Sequence, residues 1–163
     1  MKSIVLYFSY SGNTREMAQI AKCRTGSDIC ELVSPEPLPQ DLHTLHDNVV
    51  DSKLFPKEKM APLPLPFDPD KYAVFIIGSP LWLGTYPDFF IAYLESIDWR
   101  GRKVFPFVSF GGTRGSYYTK IKEICKGASV DLPCEMHSTP YPGEARRFEV
   151  WLDKINNFTG NIK

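Results

Sequence analysis

The first apolar run and the loop after it read Ile4-Val5-Leu6-Tyr7-Phe8 and then Ser9-Tyr10-Ser11-Gly12-Asn13-Thr14. An unbroken run of β-branched and aromatic residues is typical of a strand buried on both faces of a parallel sheet. A helix is expected directly after the loop, because apolar residues recur there at helical spacing, at Met17, Ile20 and Ala21. Asn13 or Thr14 can act as its N-cap. The loop is therefore a strand-to-helix turn, and its hydroxyls and backbone N–H groups predict an anion site sized for a phosphate.

Other interpretations of this loop can be weighed from its residue types. A turn rich in Ser, Gly and Asn can also serve simply to begin a helix, without binding a ligand. The loop alone leaves that interpretation open. A P-loop is excluded because the sequence lacks Gly-x-x-x-x-Gly-Lys-Ser/Thr, and a dinucleotide fingerprint needs more than one glycine in the turn. A receiver domain would need acidic residues at the end of the first strand. A small phosphatase of this topology would need a Cys and an Arg in the loop.

Length and charge limit the classes of function. The chain of 163 residues fits one domain, residues 1–163, with a single substantial core. Lys plus Arg and Asp plus Glu both number 19, so there is no global attraction for nucleic acid or an anionic membrane. No signal-peptide pattern follows Met1, and a cytoplasmic location is expected. The four cysteines form no Cys-x-x-Cys pair, so we expect reduced thiols without a catalytic role.

Residues 34–69 interrupt the strand and helix pattern. They contain eight prolines, and prolines at that density forbid a long regular element. We interpret them as an ordered excursion between a second strand at residues 29–33 and the third strand, with one helix within residues 40–53. The expected inner face of that helix is Leu42, Leu45, Val49 and Val50, and the further apolar anchors are Leu54, Phe55, Leu63, Leu65 and Phe67. Two histidines of this segment lack a third and fourth ligand, so no metal site is predicted.

A second unusual loop follows the third strand, which is expected at residues 72–77. It reads Ser79-Pro80-Leu81-Trp82-Leu83-Gly84-Thr85-Tyr86-Pro87. A helix is expected next, with Pro87 at its first position and Phe90, Leu94 and Ile97 on its apolar face. Trp82 is not needed to build that helix. It either closes the edge of the core or offers a stacking surface to a flat heteroaromatic ligand.

A third loop follows the fourth strand, residues 103–108. It reads Ser109-Phe110-Gly111-Gly112-Thr113-Arg114-Gly115-Ser116, and its glycines allow backbone to approach a ligand closely. The rest of the chain predicts a helix with Tyr117, Ile121, Ile124 and Cys125 on one face, a fifth strand at 129–137 interrupted by Pro133, and a last helix. The apolar stripe of that last helix is Phe148, Trp151, Leu152 and Ile155. Strands that alternate with helices predict a three-layer α/β domain with a parallel sheet, whose carboxyl edge gathers all three loops.

The three loops resemble those of the flavodoxin family. The first resembles its phosphate-binding pattern, Thr/Ser-x-Thr/Ser-Gly-x-Thr. The second is similar to Gly-x-Pro-x-Trp-x-Gly-Thr through Gly78, Pro80, Trp82, Gly84 and Thr85, and the third resembles a Thr-Ser-Gly-Gly-Ser turn. The resemblance runs from Ser3 to about Ile155 and implies a doubly wound, five-stranded parallel sheet with the order 2-1-3-4-5, which is flavodoxin's own order.

The resemblance also implies FMN as the cofactor, since hydroxyls, an aromatic and glycines suit a phosphate at one end and an isoalloxazine ring at the other. The implied phosphate loop is Ser9, Tyr10, Ser11, Gly12, Asn13 and Thr14. The ring would be lined by Pro80, Leu81, Trp82, Leu83 and Gly84, and its pyrimidine edge by Ser109, Phe110, Gly111, Gly112 and Gly115. No catalytic residue and no metal are implied, because the flavin carries the chemistry. Arg114 is a candidate for tuning the reduction potential.

Two departures from the electron-carrying flavodoxins affect the functional hypothesis. Those carriers are strongly acidic, and this chain has no net charge. The third loop also offers no aromatic before Tyr117, which predicts one open face of the ring. The favoured function is an FMN-binding redox protein that carries electrons between partner proteins. The alternatives are an NAD(P)H-dependent quinone or flavin reductase, which would pass electrons to a small acceptor, and a non-redox binding module of the same fold.

Overall fold

The computed structural model describes residues 1–50 and 60–161, and of residues 48–50 only the backbone. The strands are β1 Ser3–Tyr7, β2 Asp28–Glu31, β3 Val74–Pro80, β4 Lys103–Phe110, β5 Ser129–Val130 and β6 Cys134–His137. The helices are α1 Asn13–Thr25, α2 Leu42–Val50, α3 Asp88–Leu94, α4 Tyr117–Ile124 and α5 Glu144–Thr159, and a single 3₁₀ turn spans Pro69–Lys71.

The strands form one parallel sheet with the order β2-β1-β3-β4-β5. This is the fold class and strand order that the resemblance implied, and the prediction is confirmed. The expected fifth strand consists of two short segments, β5 and β6, which both pair with β4 in parallel. The break falls at residues 131–133, because Pro133 has no N–H to donate to the sheet.

Successive side chains of the central strands point to opposite faces of the sheet, so the core has two layers. Phe75 and Ile77 of β3 join the layer that packs under α3 and α4, whereas Val74 and Ile76 join the layer under α1 and α5. The buried stripes predicted for the last two helices lie in these layers, including Tyr117 and Ile121 of α4 and Phe148, Trp151, Leu152 and Ile155 of α5. Each face of the sheet is thus covered by helices, as a parallel sheet requires.

Gly78 marks a tight point at the centre of the sheet. It lies beside Phe107 of β4 in the strand register. A Cβ added to Gly78 would fall 2.0 Å from a carbon of the Phe107 ring. Glycine is required here because the Phe107 ring occupies the space that a side chain would fill.

Several expected boundaries are wrong by a few residues. α1 begins at Asn13 with Gly12 as its N-cap, at a φ of 103°, so neither Asn13 nor Thr14 is the cap. Pro87 is the N-cap of α3 rather than its first residue, and α3 ends at Leu94, so the buried Ile97 lies beyond it. β3 and β4 each extend further toward their carboxyl ends than expected, because Gly78 to Pro80 and Ser109 to Phe110 continue the parallel pairing.

The proline-rich excursion is only partly as expected. Leu63, Leu65 and Phe67 pack against the core, and Leu45 of α2 is buried, as predicted. Leu42 is 70% exposed, so its placement on the inner face of the helix was wrong. The side chains of Val49 and Val50, and the expected anchors Leu54 and Phe55, lie outside the described residues.

Two classes of feature are missing from the part of the chain that the structure describes. None of its helices has the length and apolar character needed to cross a membrane. Within the same residues, no group of three or more His, Cys, Asp or Glu side chains is arranged to hold a metal ion. His43 and His46 each lie beside Asp47 on the exposed surface of α2.

Candidate functional site

The ends of β1, β3 and β4 bring the three unusual loops together at one edge of the sheet. The backbone N–H of Phe8 donates to the carbonyl of Gly78 at 3.1 Å, and that of Leu81 donates to the carbonyl of Ser109 at 2.8 Å. The pairing of the strands therefore continues to Phe8, just before the first loop, and into the second and third loops at Leu81 and Ser109. The carboxyl edge of a parallel sheet is where ligands bind in open α/β folds.

Two of the three serine and threonine hydroxyls in the first loop are engaged within the protein. Ser9 is buried, and its Oγ accepts a hydrogen bond from the backbone N–H of Gly12 at 3.1 Å. Thr14 is also buried, and its Oγ1 lies 3.0 Å from Oγ of Ser109 on β4. These contacts fix the shape of the loop and tie it to the neighbouring strand. Ser11, by contrast, is exposed at the mouth of the loop.

The amino end of α1 adds backbone donors beside Ser11. Its N-cap is a glycine, so no side-chain oxygen satisfies the N–H groups of the first turn. The uncapped helix end and the exposed Ser11 hydroxyl together suit a dianionic phosphate, because the helix dipole also favours negative charge there.

Tyr10 and Asn13 connect the first loop to other parts of the chain. The Tyr10 hydroxyl donates a short hydrogen bond to the carbonyl of Pro39, in the proline-rich excursion. Burial, with a smaller effect from the Asp41 carboxylate, raises the pKa of Tyr10, so its hydroxyl stays protonated as this donor. The amide of Asn13 donates to the carbonyl of Ser138 at 3.4 Å, just after β6.

The second loop holds Trp82 at the start of a tight turn. Trp82 and Thr85 exchange two backbone hydrogen bonds, of 2.9 and 3.2 Å. Leu83 and Gly84 between them have φ angles of 51° and 79°. Leu83 is the one non-glycine residue with positive φ among the described residues, and such strain costs about 1 kcal/mol or more. Trp82 itself is half-buried, with its ring 5.5 Å from that of Phe8 in an edge contact.

The second and third loops touch through two glycines. A Cβ on Gly84 would lie 2.8 Å from Cα of Gly115, and a Cβ on Gly115 would lie 2.5 Å from the carbonyl oxygen of Gly84. Both glycines also have positive φ. Since no side chain fits between the two backbones, this contact sets the separation of the loops.

The third loop presents backbone rather than side chains. Ser109 and Phe110, which the sequence assigned to the site, are the buried last residues of β4, whereas Gly111 and Gly112 are exposed. The Arg114 guanidinium lies 3.4 Å from a carboxylate oxygen of Glu135 on β6, and its side chain is 62% exposed. Arg114 thus already has a counter-charge.

The second and third loops, together with α2, enclose a cleft of about 370 Å³. Its lining residues are Leu42, Leu45, His46, Leu81, Trp82, Leu83, Gly111, Gly112 and Thr113. Five of the residues that the sequence assigned to the flavin ring therefore line one cavity. The other five, Pro80, Gly84, Ser109, Phe110 and Gly115, do not line it. The two glycines instead hold its two loops together.

A second cleft, of about 480 Å³, lies between the first loop and the excursion. It is lined by Tyr10, Ser11, Leu38, Pro39, Gln40 and Leu42. Leu42 lines both clefts, so they adjoin each other at α2. The sequence predicted no contribution from the excursion to the site. The one signal in the sequence that could have indicated this contribution was the apolar face of the helix within residues 40–53, for which no packing partner had been assigned.

The end of β6 carries a charged cluster that the sequence did not single out. Glu144 is 4% exposed, and its carboxylate lies 2.5 Å from Nδ1 of His137. It also accepts the backbone N–H groups of His137 and Tyr141. Burial raises the pKa of Glu144, but these hydrogen bonds outweigh it and hold the pKa below its ordinary value. The carboxylate joins the start of α5 to the end of β6.

Comparison with known proteins gives one family. A family model described as Flavodoxin matches residues 2–133. The chain belongs to the flavodoxin family. No match was found among curated proteins.

Solved structures share the fold of this flavodoxin family member. A flavoprotein in complex with FMN from Lactobacillus acidophilus is 24% identical, with a TM-score of 0.66, covering 91% of this chain and 98% of that one. Oxidised flavodoxin 1 from Bacillus cereus is 22% identical, with a TM-score of 0.61 and full coverage of both chains, 100% each. An NADH:FMN oxidoreductase is 14% identical, with a TM-score of 0.62, covering 94% of this chain and 88% of that one.

Proposed function

We propose that this chain is an FMN-binding redox protein of the cytoplasm that carries electrons between partner proteins. The observation that carries the proposal is the pair of adjoining clefts, one between the first loop and the excursion and one between Trp82 and the Gly111–Gly112 backbone. Ser11 lines the first of these clefts and immediately precedes Gly12, the N-cap of α1. A phosphate suits the first cleft and a flat ring suits the second. The volume of about 370 Å³ falls within the usual range of ligand pockets.

The residues of this chain would bind and orient the cofactor. Ser11 and the first-turn N–H groups of α1 donate to the phosphate. Trp82 and Leu81 supply an apolar wall for the ring, and Gly111 and Gly112 allow backbone to reach the ring's polar edge. The flavin, when bound, supplies one- and two-electron transfer chemistry. Since Arg114 is already paired with Glu135, its effect on the reduction potential would be small.

The reductase is the second candidate, supported by the fold shared with an NADH:FMN oxidoreductase and by the zero net charge. The carrier is favoured because the cleft is walled by α2 as well as by the two loops, which leaves little room for a nicotinamide to stack.

The two candidates differ in what they do with NADH or NADPH. A carrier loaded with FMN should oxidise neither nucleotide at an appreciable rate alone, and its flavin should bleach when a pyridine-nucleotide-dependent flavodoxin reductase is added. Absorbance at the nucleotide and flavin bands follows both reactions. Turnover of about 1 s⁻¹ or faster without a partner, as in ordinary enzymes, would contradict the carrier and support the reductase.

A further inference from the structure

Helix α2 contributes three side chains to the cleft between the second and third loops. Leu42, Leu45 and His46 line this cavity together with Trp82 and the glycines. Leu45 is 2% exposed, although its neighbours on α2 up to Asp47 are exposed. Among the described side chains of α2, Leu45 is therefore the one that packs into the core, and the helix forms one wall of the cleft.

The cleft leaves unusually large apolar surface exposed. Leu42 is 70% exposed and Leu83 is 54% exposed, and both line the same cavity. Half-buried Trp82 lies between the same walls. Of the nine lining residues, His46 alone has an ionisable side chain. Exposed apolar side chains that converge on one cavity mark a binding surface, and this lining suits a flat, largely uncharged aromatic ring.

Two contacts order the segment at the start of α2. The Asp41 carboxylate caps the helix by accepting the backbone N–H of Thr44 at 2.7 Å. Just before the cap, the carbonyl of Pro39 accepts the hydroxyl of Tyr10 from the first loop. The helix is thereby tied to the loop that would hold the phosphate, so the positions of a ligand's two ends are coupled through Tyr10.

We propose that α2 is the second cover of the flavin ring, in place of the aromatic that the third loop lacks. This inference rests on the proposed function. Leu42 and Leu45 would lie against the ring and would exclude a flat hydride donor from that face, so the bound flavin would exchange electrons at its edge. The partners that fit such a site are proteins that dock at that edge, rather than small molecules that stack on a face.

The test uses lumiflavin, which has the ring without the ribityl phosphate, beside FMN. Leu42→Ala removes exposed side chain only, so the fold is retained. It should weaken lumiflavin about three- to tenfold, because the lost contact is with the ring. It should weaken FMN by at least as much, because FMN has the same ring and Leu42 also lines the cleft proposed for the phosphate. Leu132→Ala is the matched control, since Leu132 is 68% exposed and lines neither cleft. Unchanged lumiflavin affinity in Leu42→Ala would overturn the proposal.

Hydrogen exchange gives a readout that does not depend on the variant. Binding of lumiflavin or FMN should slow exchange of the α2 amides, residues 42–50, by about tenfold or more, with no comparable change in α4. A flavin that binds but leaves α2 exchange unchanged overturns this inference and leaves the proposed function standing. Failure of FMN to bind at all overturns both.

Discussion

FMN should bind this protein at least about a hundredfold more tightly than riboflavin, because each hydrogen bond to a charged phosphate contributes about 1.5 to 3 kcal/mol and the first loop offers several donors. Ser11→Ala should lower the affinity for FMN about tenfold or more and leave that for riboflavin unchanged, since only FMN has the phosphate. Fluorescence titration of both flavins measures the two dissociation constants. Ser11 is the residue to change because Ser9 and Thr14 are buried in contacts that shape the loop.

Ser116→Ala is the matched control for Ser11→Ala. Ser116 is an exposed serine just before α4, and its side chain makes no capping bond to that helix. Its removal should leave both affinities unchanged. If Ser11→Ala weakened riboflavin as much as FMN, the phosphate would not lie at this loop.

Gly115→Ala should lower the affinity for the flavin ring by at least about tenfold. The new Cβ would lie 2.5 Å from the carbonyl oxygen of Gly84, so the second and third loops must separate. The φ of 55° at Gly115 adds strain, and overpacking of this kind costs about 1 to 3 kcal/mol. Titration with lumiflavin measures the loss without a contribution from the phosphate.

Gly101→Ala separates backbone strain from the contact between loops. Gly101 has a φ of 74°, and no atom lies within 4 Å of its would-be Cβ. The Gly101→Ala variant should unfold at a lower temperature because of backbone strain, but it should keep its affinity for the flavin. Equal affinity of Gly115→Ala and the wild-type protein would show that the Gly84–Gly115 contact does not set the geometry of the cleft.

The order of the elements could be predicted from the sequence because each has a strong local signal. The apolar run from Ile4 to Phe8 and the run before Gly78 are typical of strands in a sheet covered on both faces, and the structure forms β1 and β3 there. The stripe of Phe148, Trp151, Leu152 and Ile155 predicted α5 and its buried face. Periodicity works here because burial of one face is what holds each element in place.

Contacts between distant short residues could not be predicted in this way. The bond between Thr14 and Ser109 joins residues 95 positions apart, and two small hydroxyls have no periodic signature. It also explains why Thr14 is buried behind the loop. The Gly84–Gly115 contact is similar, because the sequence shows glycines in both loops but not that they meet.

The position of α2 beside the two clefts was missed for a different reason. An apolar helix face predicts burial but does not identify the surface against which the helix packs. The prolines on both sides of this helix also interrupt the regular alternation of strands and helices from which the position of a helix on the sheet can be inferred. Leu42 was assigned to the buried face, yet it lies exposed at both clefts. A core position and a ligand-binding position have the same residue type, so sequence alone does not separate them.

Titration of the FMN-free protein with FMN, followed by tryptophan emission, tests the central claim that the three loops form one flavin site. We predict quenching that ends at equimolar FMN. The quenching should be lost in Trp82→Phe and kept in Trp151→Phe, because Trp82 lines the cleft whereas Trp151 lies on the buried face of α5. Quenching that survives in Trp82→Phe, or a visible spectrum identical to that of free FMN, would contradict the account.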